Sequence, residues 1–238
     1  MRTYTALAII ALLLTFIAHS QDSPPPQPHV VAPGGADKPP SDAVVLFNGV
    51  DLQQWVTREG TPTRCRVISA EMVCQTGDGD AMTIQRFRDA QIHVEFNVPY
   101  MPNQTDQLRG NSGVYVHGAW EVQILDSFEN PTYPDGMLGS IYGFRPPLVN
   151  AARRPEEWQS YDITVRMPVC DVEGTLLKPA RMTVLLNGVL IQDNTELDRL
   201  GPGHIDKALC DPGPLLFQDH GGSEITTMKF RNVWIREL

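Results

Sequence analysis

The sequence has no cluster of lysine and arginine. Its 19 basic residues are scattered among 28 acidic ones, for a net charge of −9, which argues against nucleic acid or an anionic membrane surface as a partner. No internal repeat appears, and no stretch keeps helical spacing; the one helix-like piece, around Pro155–Gln159, is barely a turn. The 4 cysteines show no CxxC spacing, so structural zinc is disfavoured. The longest apolar run, Ala6–Ala18, is too short and too early for a membrane span.

That run instead fits a secretory signal peptide over residues 1–20, with Arg2 ahead of it and Ala18-His-Ser20 as a small-x-small cleavage site. An uncleaved anchor is the alternative. Cleavage would remove Arg2 and take the net charge to −10. Residues 21–41 are rich in proline and glycine and read as a disordered linker. Residues 42–238 remain for one domain with a full core, secreted or periplasmic, with no membrane insertion after cleavage. In an exported chain the cysteines are expected to pair. Cys65 and Cys74 flank a tight hairpin turning near Ser69-Ala70, which sets them opposite each other; Cys170 and Cys210 pair by elimination. Buried free thiols are the alternative.

What the sequence has in quantity is short apolar or alternating runs broken by Gly, Pro, Asn and Asp. Strands are expected at Val44–Phe47, Arg66–Ile68, Glu71–Gln75, Met82–Gln85, Ala90–Pro99 and Gly113–His117. More follow at Trp120–Leu125, Ser160–Met167, Ala180–Leu186, Val189–Asp193, Leu215–Gln218 and Lys229–Arg236, with an Asn187-Gly188 hairpin turn. The pattern is all-β, an antiparallel sandwich or jelly roll.

Five blocks in order, "LFNGVDLQQW", "GNSGVYVHGAWEVQILDS", "IYGFRPPLVNAARRPEEWQSYDI", "KPARMTVLLNGVLIQDN" and "GPLLFQDHG", resemble the 3-keto-disaccharide hydrolase family, also called 3-keto-glucoside 1,2-lyase/3-keto-2-hydroxyglucal hydratase. The resemblance covers about Val44 to Leu238 and implies a concanavalin A-like jelly-roll sandwich of two antiparallel sheets. It implies a carbohydrate-active enzyme that cleaves 3-keto-glycosides without a nucleotide, since a separate sugar 3-oxidoreductase supplies the ketone. The C3 ketone acidifies the C2 proton; a base removes it, the aglycone leaves C1 with acid assistance, and water adds to the unsaturated sugar. A conventional glucanase-type hydrolase and a non-catalytic lectin-like domain are the rivals.

Within the second block, Glu121-Val-Gln123-Ile-Leu-Asp126 is similar to the Glu-x-Asp-x-x-Glu strand motif of glucanases of that fold. Glu121 and Asp126 are the expected proton-transfer pair, with Gln123 orienting the sugar. Strict alternation sends Asp126 to the opposite face, so the reading requires a bulge at Ile124-Leu125. The bland alternative is a solvated sheet face. In "FQDHG", Gln218, Asp219 and His220 are placed by the resemblance at the cleft, with His220 a catalytic candidate able to stabilise an enolate. His117 faces Glu121 or away from it according to the length of the turn after it. Arg153 or Arg154 is expected to hold sugar hydroxyls or the keto oxygen; Asn111 and Tyr142 are expected sugar contacts, against structural readings for each. No spacing marks a metal site; no cofactor is required on this reading, and a Ca²⁺, Mg²⁺ or Mn²⁺ ion stays open.

Overall fold

A computed structural model describes residues 27–35, 38–205, 209–222 and 224–238; the expected signal peptide and the first part of the linker lie outside them. Residues Val31–Leu238 form one compact unit; of Met1–Val30, only 27–30 are described, exposed and without regular structure. Within the expected linker, Ser41 N donates to the Ala32 carbonyl and Ala32 N to Ser41 Oγ, both at 3.0 Å.

The strands, in chain order, are β1 Val44–Phe47, β2 Trp55–Val56, β3 Arg66–Ile68, β4 Glu71–Gln75, β5 Ala81–Phe87, β6 Ala90–Asn97, β7 Ser112–Val116 and β8 Trp120–Ile124. They continue with β9 Gln159–Arg166, β10 Val169–Cys170, β11 Leu176–Lys178, β12 Ala180–Leu186, β13 Val189–Leu197, β14 Gly213–Phe217 and β15 Thr227–Glu237. The larger sheet runs β13-β12-β9-β6-β15-β4-β3, with β1 also on β15; the smaller runs β2-β5-β14-β7-β8. All these pairs are antiparallel, and β10 and β11 form a separate ribbon. This is the jelly-roll sandwich that the strand pattern implied.

Alternation drives the larger sheet. Ala90, Ile92, Val94 and Phe96 of β6 point into the core while Gln91, His93 and Glu95 point out, the period of a sheet with one covered face. Between the sheets, Phe217 of β14 stacks on Phe230 of β15 with centroids 3.9 Å apart, and on Trp55 at 4.8 Å. Each such buried side chain contributes about 1.5–3 kcal/mol of hydrophobic stabilisation, so the two sheets are fastened over β14, the strand whose end enters the cleft described below.

The hairpin readings hold. Ser69 and Ala70 both take positive φ (53° and 62°) between β3 and β4, and Asn187-Gly188 does the same between β12 and β13, as a type I′ turn requires. Cys65–Cys74 and Cys170–Cys210 are both bridged, with Cα atoms 4.5 Å and 6.2 Å apart. The helix-like piece at Pro155–Gln159 is not a helix. Glu156 has φ +68°, and Gln159 already opens β9.

Candidate active site

Strand β8, WEVQI, is buried at every position. One face belongs to the core, through Trp120, Val122 and Ile124. The other carries Glu121 and Gln123, 4% and 2% exposed, where an edge strand ordinarily meets water. Segment 139–142 lies along β8: Gly139 N donates to the Gln123 carbonyl and Tyr142 N to the Glu121 carbonyl, each at 3.0 Å. From the other side Tyr115 of β7 sits directly opposite Glu121, and its hydroxyl donates to Glu121 Oε2 at 2.9 Å.

Residue size fixes where the carboxylate lies. A Cβ on Gly113 would sit 2.1 Å from Glu121 Oε1, so only glycine at 113 leaves the carboxylate its place. Oε2 is thereby tied to Tyr115 while Oε1 lies over Gly113. Burial drives the Glu121 pKa up to about 7, opposed by the Tyr115 hydrogen bond and reinforced by the Asp80 charge. A carboxyl group in this state exchanges protons near neutral pH, as an acid–base catalyst must. Tyr115 itself stays protonated, its pKa raised by burial and by the Glu121 charge.

Glu121 lies in an open cleft together with Gln107, Asn111, Gln123, Gln218 and His220, and Tyr142 and the Pro202-Gly203 turn also line it. Tyr142 hydrogen-bonds Tyr133, hydroxyl to hydroxyl, at 2.9 Å. Gln107 organises one wall. Its Nε2 donates to Thr132 Oγ1 (2.7 Å) and the Gly136 carbonyl (3.0 Å). Asn111 Nδ2 donates to the Gln107 main-chain carbonyl at 2.8 Å, and Gln123 Nε2 to the Gly136 carbonyl at 3.3 Å. His220 is exposed beside this wall. Beyond Gln218 the groove continues over Arg58, Arg64 and Asp80. Among the described residues, no group of three or more His, Cys, Asp or Glu side chains is arranged to hold a metal ion.

A family model described as "3-keto-alpha-glucoside-1,2-lyase-like domain" matches residues 42–236. The chain belongs to this family. A crystal structure from Parabacteroides distasonis, called there a "putative glycosyl hydrolase", is 38% identical, covers 92% of this chain and 95% of its own, and superposes with a TM-score of 0.83. A second structure so named from the same organism, at 21% identity, covers 83% and 94% with a TM-score of 0.61, and shares the fold. No curated protein matches the chain. The protein is thus a glycosyl hydrolase-like member of the 3-keto-alpha-glucoside-1,2-lyase-like family.

Of the residues singled out from sequence, the fold brings Glu121, Gln123, Asn111, Tyr142, Gln218 and His220 to one cleft. Five others are placed elsewhere. Ile124 and Leu125 both enter the core, so alternation does lapse where a bulge was expected. Asp126 nevertheless is 1% exposed, held by Arg109 Nε at 2.7 Å and Phe128 N at 3.1 Å, and does not line the cleft; a buried carboxylate with its charge met by a partly buried guanidinium is a wall brace. His117 belongs to a three-residue loop, since Val116 pairs with Trp120. It packs on Phe87 at 4.8 Å and puts Nε2 2.8 Å from the Arg88 carbonyl. Burial pushes its pKa down to about 4, so it is a neutral core residue. Arg153 donates to the Trp158 carbonyl at 2.8 Å, and Arg154 lies over the Phe128 ring at 5.4 Å; neither reaches the cleft. Asp219 lines the adjoining groove, but its oxygens are taken by Gly77, Gly79 and Gly221 N–H groups at 2.8–3.0 Å, which makes it a turn clamp.

Sequence reasoning passed over Tyr115, Gln107 and Gly113. Tyr115 and Gly113 sit in "SGVYV", which reads as core; only the β7–β8 register reveals that alternate positions face Glu121. Gln107 had no signal, as a lone glutamine in a loop.

Proposed function

We propose that the protein is an exported enzyme that cleaves 3-keto-glycosides by elimination across C1–C2, followed by hydration of the 2-hydroxyglucal. The observation that carries this reading is the Glu121 carboxyl at the floor of the cleft, tethered by Tyr115 and titrating near neutrality. Glu121, through Oε1, takes the C2 proton. The C2–H electrons form the C1–C2 double bond by way of the C3 enolate as the C1–O bond breaks, and the aglycone oxygen leaves with a proton. His220 serves as the donor at the cleft mouth, to the enolate oxygen or to the leaving group. Water then adds across the double bond, with its oxygen to C1 and a proton to C2 returned by Glu121, giving the free 3-keto sugar. The ketone is supplied by a separate sugar 3-oxidoreductase.

The carboxylate count favours this over ordinary hydrolysis. Retaining and inverting glycosidases need two carboxyl groups flanking the bond, and Glu121 is the sole carboxylate among the described residues lining this part of the cleft. Elimination from a 3-keto sugar needs one base and a donor. The two disulfides fit an oxidising compartment, and among the described residues no helix is long and apolar enough to cross a membrane. The test is to give the purified protein a 3-keto-disaccharide and its unoxidised parent, following glycoside loss and enone absorbance. Turnover of the keto compound alone is expected; turnover of the parent alone overturns the reading, and turnover of neither leaves a binding domain.

A further inference from the structure

The amide groups around Glu121 are oriented by partners that can only accept. Asn111 Nδ2 donates to the Gln107 main-chain carbonyl (2.8 Å), and Gln123 Nε2 to the Gly136 carbonyl (3.3 Å). A carbonyl oxygen has no proton to give, so neither amide can be flipped without setting oxygen against oxygen. Gln218 is fixed one step further out. With Glu121 ionised, the Tyr115 hydroxyl donates to it, and so accepts from Gln218 Nε2 at 3.4 Å. All three amides have their nitrogens engaged and their oxygens left over. Asn111 Oδ1, Gln123 Oε1 and Gln218 Oε1 are all buried and without a hydrogen-bond partner among the described residues. Their side chains line the same cleft as Glu121, and Asn111 and Gln123 are 5% and 2% exposed.

A wall with three fixed acceptors and a carboxylate oxygen satisfies donors and repels other acceptors. We infer that Asn111, Gln123 and Gln218 form a hydroxyl-recognition wall, which binds a glycosyl ring through at least two of its free O–H groups and turns the 3-keto oxygen away from itself, toward His220. This deepens the carbohydrate reading above and rests on it. A 3-keto-glucoside offers O2–H, O4–H and O6–H as donors, whereas its C3 oxygen has none. The wall therefore selects an unsubstituted glycosyl unit and sets the ring's orientation over Glu121. Recognition is separated from chemistry: the wall reads hydroxyls that an unoxidised glycoside also has.

The test is equilibrium binding of methyl glucoside and its 4-deoxy, 6-deoxy and 4-O-methyl analogues to the wild-type protein, by calorimetry or ligand-observed NMR. At least one deoxy analogue and the methyl ether are expected to bind roughly tenfold more weakly than the parent. Gln123→Met should bring the parent down toward the analogues while leaving the weak analogue unchanged. Equal binding across the series, or no binding of the parent, overturns the inference. So does Ca²⁺ binding alone that Asn111→Leu abolishes, which would make the wall a cation site. Discrimination among glycosides without turnover of any keto-glycoside would sink the proposed reaction and leave the wall intact; turnover without discrimination would do the reverse.

Discussion

Replacing Tyr115 with phenylalanine removes one hydroxyl from the floor of the cleft and leaves Glu121 buried without its donor. The hydrogen bond at 2.9 Å to Oε2 opposes the effect of burial on the carboxyl. A hydrogen bond to a charged group contributes about 1.5–3 kcal/mol, and each 1.36 kcal/mol is one pKa unit. The Glu121 pKa, about 7 in the wild type, should therefore rise by about 1–2 units in Tyr115→Phe. With Glu121 acting as the base, the ascending limb of log kcat/KM against pH moves up by the same amount. At pH 6 the variant should be slower by roughly 10- to 100-fold, and it should recover most of the wild-type rate above the new pKa. The assay is kcat/KM for a 3-keto-glycoside across pH 5–10, with a melting curve to confirm folding. A limb that stays in place or moves down, in a folded variant, would refute the link between the phenol and the base.

Gly113→Ala brings a methyl group to 2.1 Å from Glu121 Oε1; displacing the carboxylate by about 1 Å should cost roughly a hundredfold in kcat, read in single-turnover kinetics. Asp126→Asn removes the charge partner of the partly exposed Arg109 and should cost about 1.5–3 kcal/mol by chemical denaturation, while the pH–rate profile of the folded protein keeps its shape. His93, outside the cleft on β6, stacks on Trp234 and faces Asp162 at 2.7 Å and Glu95 at 3.7 Å. Burial opposes its charge, yet hydrogen bonds and the two carboxylates raise its pKa to about 9. A raised histidine pKa adds stability that is complete below the unfolded value near 6.5 and is lost as pH passes 9. The loss should approach about 3 kcal/mol, and His93→Gln should flatten that slope of unfolding free energy against pH.

The strands were legible because their cause is local. Alternation in "QIHVEFNV" and positive-φ turns at Ser69-Ala70 and Asn187-Gly188 need no knowledge of the rest of the chain. The short β2 and the β10–β11 ribbon were not legible, since two or three residues carry too little pattern. Glu121 and Gln123 stood out as polar residues inside an apolar run. Asp126 misled for the same reason: its spacing fits a catalytic pair, but its partner Arg109 arrives from a loop seventeen residues earlier. His117 shows the other limit. The longer loop would by alternation have turned it toward Glu121, but its own positive φ of 55° takes it out of the strand and leaves the ring against Phe87.

The central claim is that Glu121 takes the C2 proton of a 3-keto sugar, and proton exchange reports on that directly. A 3-keto-glycoside carrying deuterium at C2 is incubated in ordinary water with wild-type protein and with Glu121→Gln, and the label is followed by NMR. Loss of deuterium with the wild type and its retention with the folded variant is the predicted result; equal loss with both, or cleavage by the folded variant at the wild-type rate, would contradict it.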